Sequence, residues 1–377
     1  MKKYYLLTPG PTPVPARVAA KSSEPILHHR TKEFGDVFSS VQEGMKYVLK
    51  TKQDVIMISG SGTAAMDAAV ANLTSAGDPV LVGSIGSFGE RWIGICNAFG
   101  LKTHIIREEW GTPLSPHKVE EALKKNPEIK VVFVQHTDTS TGTVNDIKAL
   151  GQVVSKTNAI LVVDSVSGLA GEELHFDDWK CDVVVGGSQK GLMTAPGIAM
   201  ATLSDKAWEL NKSAKSPRFY SDFKTIRASI KDNETPWTPP VTLFASLSEA
   251  LKMIKEETIE GVWARHLRLQ KIAQAGIAAM GFPFLSSRPC SVLTAAKLPE
   301  GFDGNLLIKK MLQDQGVSIA GGQDHLKGKI FRLAHMGYMD EFDMMVGLTA
   351  LEKTLTQMGY KLPKPAAGIE AAKAAMV

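Results

Sequence analysis

The 377-residue chain predicts an α/β fold, a large layer built on a mostly parallel sheet followed by a smaller α+β domain. Three observations predict it. Short Val- and Ile-rich runs recur at Val55–Ile58, Val80–Gly83, Val131–Gln135, Ile160–Val163, Val183–Val185 and Ile198–Leu203. Strands covered on both faces read as such unbroken apolar runs. Helical patterns lie between them, as where Ile147, Leu150 and Val154 recur at i, i+3 and i+7. After about residue 235 the pattern changes to long helical stripes.

Leu243, Leu247, Leu251 and Ile254 make one stripe, and Val262, His266, Leu269, Ala273 and Met280 a second. Short strand candidates follow at Ser291–Ala295, Val317–Ala320 and Ile330–Ala334, then a helix near Asp340–Met358. The expected division is 1–255 for the large domain, 256–362 for the small one and 363–377 for an Ala-rich, low-complexity tail, expected to be mobile.

Bulk properties exclude several function classes. A net charge of +4, with both signs interspersed, argues against a nucleic acid or an anionic membrane as partner. No run of about 18 apolar residues exists, so no transmembrane helix is expected. Cys96, Cys181 and Cys290 form no CxxC pair and no cluster with histidine. Such a sparse, odd set fits a reducing compartment, so the cytoplasm is the expected location and no metal is expected.

The chemistry concentrates at strand ends. The run from Ile160 closes on Asp164, and the run Val183–Val185 closes on Gly186-Gly187-Ser188-Gln189-Lys190. Parallel sheets place reactive groups at the carboxyl ends of their strands. One amine and one acid, each closing a neighbouring strand, suit pyridoxal 5′-phosphate, which needs an imine-forming lysine and an acidic partner for its ring nitrogen. The glycines around Lys190 permit close backbone approach to a ligand. The plain alternatives are a solvated lysine and a turn aspartate.

Ser59-Gly60-Ser61-Gly62-Thr63 follows another run and opens a helix, which suits a phosphate. It is neither a Walker A loop nor a complete GxGxxG. Phe88 sits in a glycine-rich loop, either as a stacking ring or as an ordinary core residue. Arg332, in a strand-like run, offers a planar fork for a carboxylate or makes a surface salt bridge.

From Leu6-Leu7-Thr8-Pro9-Gly10-Pro11 to Ile330-Phe331-Arg332-Leu333-Ala334-His335, the order of these motifs resembles the class V aminotransferases of PLP fold type I. The likeness is greatest to the alanine/serine:glyoxylate (pyruvate) branch. It implies that Lys190 holds the cofactor as an imine and moves the proton, while Asp164 pairs with the ring nitrogen. Phe88 and Val166 would flank the ring, and Ser140 would contact the cofactor. Ser61, Gly62, Thr63 and Gln189 would hold the phosphate, joined by Thr238 from the other subunit of a homodimer with shared sites. No arginine appears in this expected cup. Arg332 and the Gly10 backbone would take the substrate, with segment 1–15 near the active site. His28, His29 and Arg30 would form a rim, Arg30 toward a side-chain carboxylate.

The implied activity is a ping-pong transfer of an amino group from serine, alanine or aspartate to glyoxylate or pyruvate. Two alternatives stand beside it: a PLP-dependent lyase of the cysteine desulfurase type, and a non-catalytic accessory subunit related to the soluble hydrogenase small subunit. Gln189 just before Lys190, where the lyases typically carry histidine, weighs against the first.

Overall fold

A computed structural model describes residues 3–376, so Met1, Lys2 and Val377 of the expected domain ranges lie outside the described residues. The central sheet has seven strands: β1 (Val55–Gly60), β2 (Pro79–Ser84), β3 (Lys102–Arg107), β4 (Val131–Gln135), β5 (Ile160–Asp164), β6 (Val183–Gly187) and β7 (Gly197–Leu203). Their spatial order is β1-β7-β6-β5-β4-β2-β3, and only β7 runs antiparallel to its neighbours. Alternate residues enter opposite cores: Val132, Val134, Leu161 and Val163 one, Val131, Phe133, Ile160 and Val162 the other. Both faces are therefore covered, which explains the unbroken apolar runs.

β3 was absent from the expected strands. Its sequence, Lys-Thr-His-Ile-Ile-Arg, belongs to an edge strand whose residues are exposed or half-buried, so no apolar run marks it.

Helix α1 (Lys32–Leu49) covers one face together with α4 (Val241–Glu257), where Phe34, Phe38 and Phe244 meet with ring centroids 5.8–6.4 Å apart. Helices α2 (Gly62–Leu73) and α3 (Ser87–Ala98) bring Met66, Val70 and Trp92 to the other. A break at Thr258, which caps the next helix by accepting from the Gly261 amide, leads into α5 (Ile259–Ala279). Ile259, Val262 and Trp263 belong to the large core, whereas Leu269, Ile272 and Ile277 belong to a second core. The division thus falls inside α5 rather than at 255/256.

The second core packs α5 against a three-stranded antiparallel sheet containing β8 (Leu293–Lys297) and, at its centre, β9 (Ile330–Ala334). The expected strand Val317–Ala320 divides into Val317–Ser318 and Ala320–Gly321, which join different sheets. Tyr5–Leu6 pairs in parallel with Val317–Ser318, and Leu7 is buried in this second core. The chain start is therefore anchored on the small unit before it crosses to the large one.

The expectation of a mobile tail is corrected. Residues Ala367–Ala375 form a helix, α7, that buries Ala367 and Ala372 against α5 and α6 (Glu341–Gln357). Small side chains permit the close approach, and Glu352 accepts from the Gly368 amide at 2.8 Å. Among the described residues, no helix is long and apolar enough to cross a membrane.

Candidate active site

The carboxyl ends of β5 and β6 meet at a cavity with about 500 Å³ of empty space, open to solvent at its mouth. Register does the positioning: Asp164, the last residue of β5, lies beside Val185 of β6 and Gln135 of β4. Lys190 follows β6 by one turn. Its Nζ donates to the Pro9 carbonyl and lies 3.3 Å from Ser167 Oγ. Burial pulls this amine down to about 8, because the charged form loses its hydration. Burial pushes Asp164 up to about 6, although its carboxylate accepts the Val166 amide at 2.9 Å.

The chain start braces the lysine. Thr12 donates its amide to the Gln189 carbonyl at 3.2 Å and its hydroxyl to the Lys190 carbonyl at 2.9 Å. Gly10 has φ +125°, and a Cβ there would collide with the Lys190 side chain. Its place beside the lysine thus needs glycine.

The opposite wall is the start of α2. Ser61 caps it without a side-chain hydrogen bond, so its first amides face the cavity with Gly62 and Thr63. A Cβ on Gly62 would overlap Val166. Phe88 and Val166 also line the cavity, and Gln189 leaves Oε1 buried without a partner.

Eight expected residues thus converge: Ser61, Gly62, Thr63, Phe88, Asp164, Val166, Gln189 and Lys190. Ser140 is not among them. Its hydroxyl donates to the buried Asp138 carboxylate and accepts the Ser87 amide at 2.9 Å. Asp138 also accepts the Phe88 amide at 3.1 Å, so Ser140 holds the aromatic loop from behind. Thr137 and Thr139 line the cavity instead.

Thr238 lies outside this cavity, beside Tyr220 and Trp237. Arg30 is spent on that segment, donating to Glu234 and to the Thr235 carbonyl, both at 2.6 Å, which corrects the expected role toward a substrate carboxylate. His136 is buried against Ser165 Oγ at 3.0 Å and pulled down to about 4 by burial, which makes it structural.

Arg332 projects from the centre of the small sheet. Nε donates to the Gly321 carbonyl and Nη1 to the Thr139 carbonyl, both at 2.8 Å. It is only 6% exposed, and burial lowers it to about 10. Among the described residues no carboxylate forms an ion pair with it. The surface-salt-bridge alternative is thereby excluded.

Five lining residues were not anticipated: Met66, Arg91, Thr137, Thr139 and Ser167. Arg91 follows Phe88 by three residues on α3, a spacing that puts both on one helix face. An arginine thus lines the cavity beside Ser61, Gly62 and Thr63, where none was expected.

A family model described as aminotransferase class-V matches residues 4–338. The chain belongs to the class V aminotransferases. It is 39% identical over 375 residues to the soluble hydrogenase small subunit of a Synechococcus species, covering 98% of this chain and 97% of that one. It is 33% identical over 365 residues to an L-aspartate–glyoxylate aminotransferase of Paracoccus denitrificans, with coverages of 95% and 92%. The crystal structure of pyridoxamine-pyruvate aminotransferase from Mesorhizobium loti matches with a TM-score of 0.95 at 30% identity, covering 100% and 97%.

This aminotransferase is an enzyme of PLP fold type I, and its cofactor is pyridoxal 5′-phosphate. The residues present fit that group. A buried amine of lowered pKa suits the cofactor's aldehyde, and Asp164 suits its ring nitrogen. The open helix start suits its phosphate.

Proposed function

We propose that the enzyme moves the amino group of a small amino acid (serine, alanine or aspartate) to glyoxylate or pyruvate by a ping-pong route. Bound pyridoxal phosphate supplies a sink for the electron pair left on the substrate's α-carbon. The observation that carries the reading is Arg332, a buried guanidinium with no carboxylate paired to it among the described residues. It stands behind the Thr139 edge of the Lys190 cavity. Two carbonyls orient its fork, and a substrate carboxylate would complete it.

Lys190 Nζ, neutral above about pH 8, takes the proton from the substrate α-carbon and returns it on the far side of the transfer. Asp164, ionised above about pH 6, holds the ring-nitrogen proton in place. The Pro9–Gly10 backbone restricts the space around the amine and limits water there.

We further infer a homodimer with shared sites. Ile26 (73% exposed) and Phe219 (77%) supply apolar surface, and Phe219 packs on Trp237 beside Thr238 with centroids 5.1 Å apart. A second protomer would cover this surface and carry Thr238 to its neighbour's phosphate. The three thiols are free and buried, which supports a reducing, cytoplasmic setting. Cys290 is fully buried and pushed up to about 12, which disfavours a desulfurase-type nucleophile.

Absorbance scans test the substrate reading. The visible band of the lysine-bound cofactor should disappear on adding one of the three donors and return with glyoxylate or pyruvate. A band unmoved by all three donors overturns the proposed substrate reading and points to another donor or to the lyase alternative. No band after adding pyridoxal phosphate favours the accessory-subunit alternative raised by the cyanobacterial relative's name.

A further inference from the structure

Arg91 is the cation of the cavity that the proposed reaction leaves without a task. It extends from the second turn of α3 and lines the cavity with Ser61, Gly62 and Gln189. Nη1 donates to Thr63 Oγ1 at 2.9 Å, at the second residue of α2. The guanidinium carbon lies 4.6 Å from the Phe88 ring centroid, a cation–π distance. Among the described residues Arg91 forms no ion pair; the neighbouring Glu90 is taken by Arg107 at 2.9 Å. The guanidinium is thus aimed by a hydroxyl and a ring, and Asp164 across the cavity feels its charge without pairing with it.

We propose that Arg91 grips the phosphate of pyridoxal phosphate together with the amino end of α2. The inference rests on the cofactor assignment above. Three features converge on a dianion at that corner. The α2 amides are uncapped, and the helix dipole places partial positive charge there. Thr63 accepts from Arg91, so its own hydroxyl proton is directed elsewhere, toward an anion in the cavity. Gln189 shares that corner, close enough to Gly62 that a Cβ on Gly187 would contact both; its buried Oε1 has no partner among the described residues, and the amide turned to present Nε2 instead would donate to a phosphate.

The geometry also separates Arg91 from the substrate's carboxylate. Arg332 stands behind the cavity wall on the small unit, bonded to the Thr139 carbonyl and not itself lining the cavity, whereas Arg91 lines it from the large unit and bonds Thr63. Two arginines therefore serve two anions. Fork-like hydrogen bonds to a phosphate are charge-assisted, and the remaining N–H groups of Arg91 are free to make them.

The test compares two aldehydes that differ only in the phosphate. Cofactor-free wild-type, R91Q and R91K proteins are titrated with pyridoxal phosphate and with pyridoxal, following the visible band of the lysine-bound aldehyde. R91Q should weaken pyridoxal phosphate about 10- to 100-fold, the range for a charged hydrogen bond. It should change pyridoxal by less than about threefold on the same scale. R91K keeps the charge and loses the fork, so it should fall between and remain phosphate-selective. It also covers the case in which R91Q does not fold. An unchanged ratio of the two affinities, with both ligands weakened equally, overturns the proposal and reduces Arg91 to a support for Phe88 and Thr63. A wild-type protein that gives no band with either aldehyde overturns the cofactor assignment and this proposal together.

Discussion

The two rims of the cavity bury one basic side chain each, with opposite consequences. On the large-unit rim, burial lowers Lys190 to about 8, so its amine loses its proton within the working pH range. On the small-unit rim, burial lowers Arg332 only to about 10, so the guanidinium stays charged. Desolvation acts on both, but a guanidinium starts about two units higher. The same physical cost thus yields an amine that can be neutral near pH 8 on one side and a fixed cation on the other. The supports differ as well. Lys190 is held by strand register and by the chain start, whereas Arg332 is held across the junction by the Thr139 carbonyl. The large rim is built to capture a cofactor. On the proposed reading, the small rim recognises substrate only when the two units are together.

Breaking the large rim gives the largest effect. K190A should abolish the visible band and slow the donor half-reaction by about 10⁴-fold, the upper range for lost proton transfer. In the wild type, capture of added cofactor should accelerate with pH and level off above about 8 as the amine becomes neutral. A rate that is flat from pH 6 to 9 would show that burial does not set this amine.

Breaking the small rim should leave the band intact. R332Q removes the charged fork proposed for the substrate carboxylate and should raise the donor KM by about 100-fold, with R332K recovering only part. Loss of the visible band in R332Q would place the arginine on the cofactor side and erase the distinction between the rims.

Asp164 sharpens the comparison because its burial is costly before any cofactor binds. Its value rises from 3.8 to about 6, so the folded chain holds a proton that the unfolded chain releases. That contribution is complete below about pH 4 and is lost as pH rises through about 6. Cofactor-free D164N should therefore be more stable at pH 7 by about 1–3 kcal/mol, as measured by denaturant melts. The same substitution should slow the half-reaction, since asparagine cannot hold the ring-nitrogen proton. Equal stability of D164N and wild type at pH 7 would mean that the carboxylate is already paired.

Much of the large rim was legible in the sequence, because residues that close apolar strands have their place set by the strand itself. Asp164 and Lys190 are of this kind, as are Ser61–Thr63 at the β1–α2 turn. Arg91 was not, since its role depends on which way a helical side chain leans and on Thr63 meeting it. Edge strand β3 was illegible for a different reason: its exposed side chains remove the apolar signature. The Ala-rich segment read as a mobile tail because alanines carry little hydrophobic pattern, yet they fit closely against α5 and α6. In the loop from His136 to Gly142, the resemblance pointed to Ser140 as the residue that contacts the cofactor, but the structure turns Thr139 to the cavity instead. Neighbouring residues there point to opposite sides, so Thr139 faces the cavity and Ser140 faces Asp138.

That alternation carries the smallest prediction. Ser140 gives Asp138 two donors, its hydroxyl and its amide, the latter at 2.9 Å, and the Phe88 amide supplies a third at 3.1 Å. S140A removes the hydroxyl alone and also strips the Ser87 amide of its acceptor. Stability should fall by about 1–2 kcal/mol, the cost of under-satisfied buried groups. Cofactor affinity should fall by less than about tenfold, through loosening of the Phe88 loop rather than a lost contact. The opposite pattern, an affinity loss well above tenfold with an unchanged melting temperature, would put Ser140 in direct contact with the cofactor. It would also move the aromatic loop from a support of the large rim to a part of its binding surface.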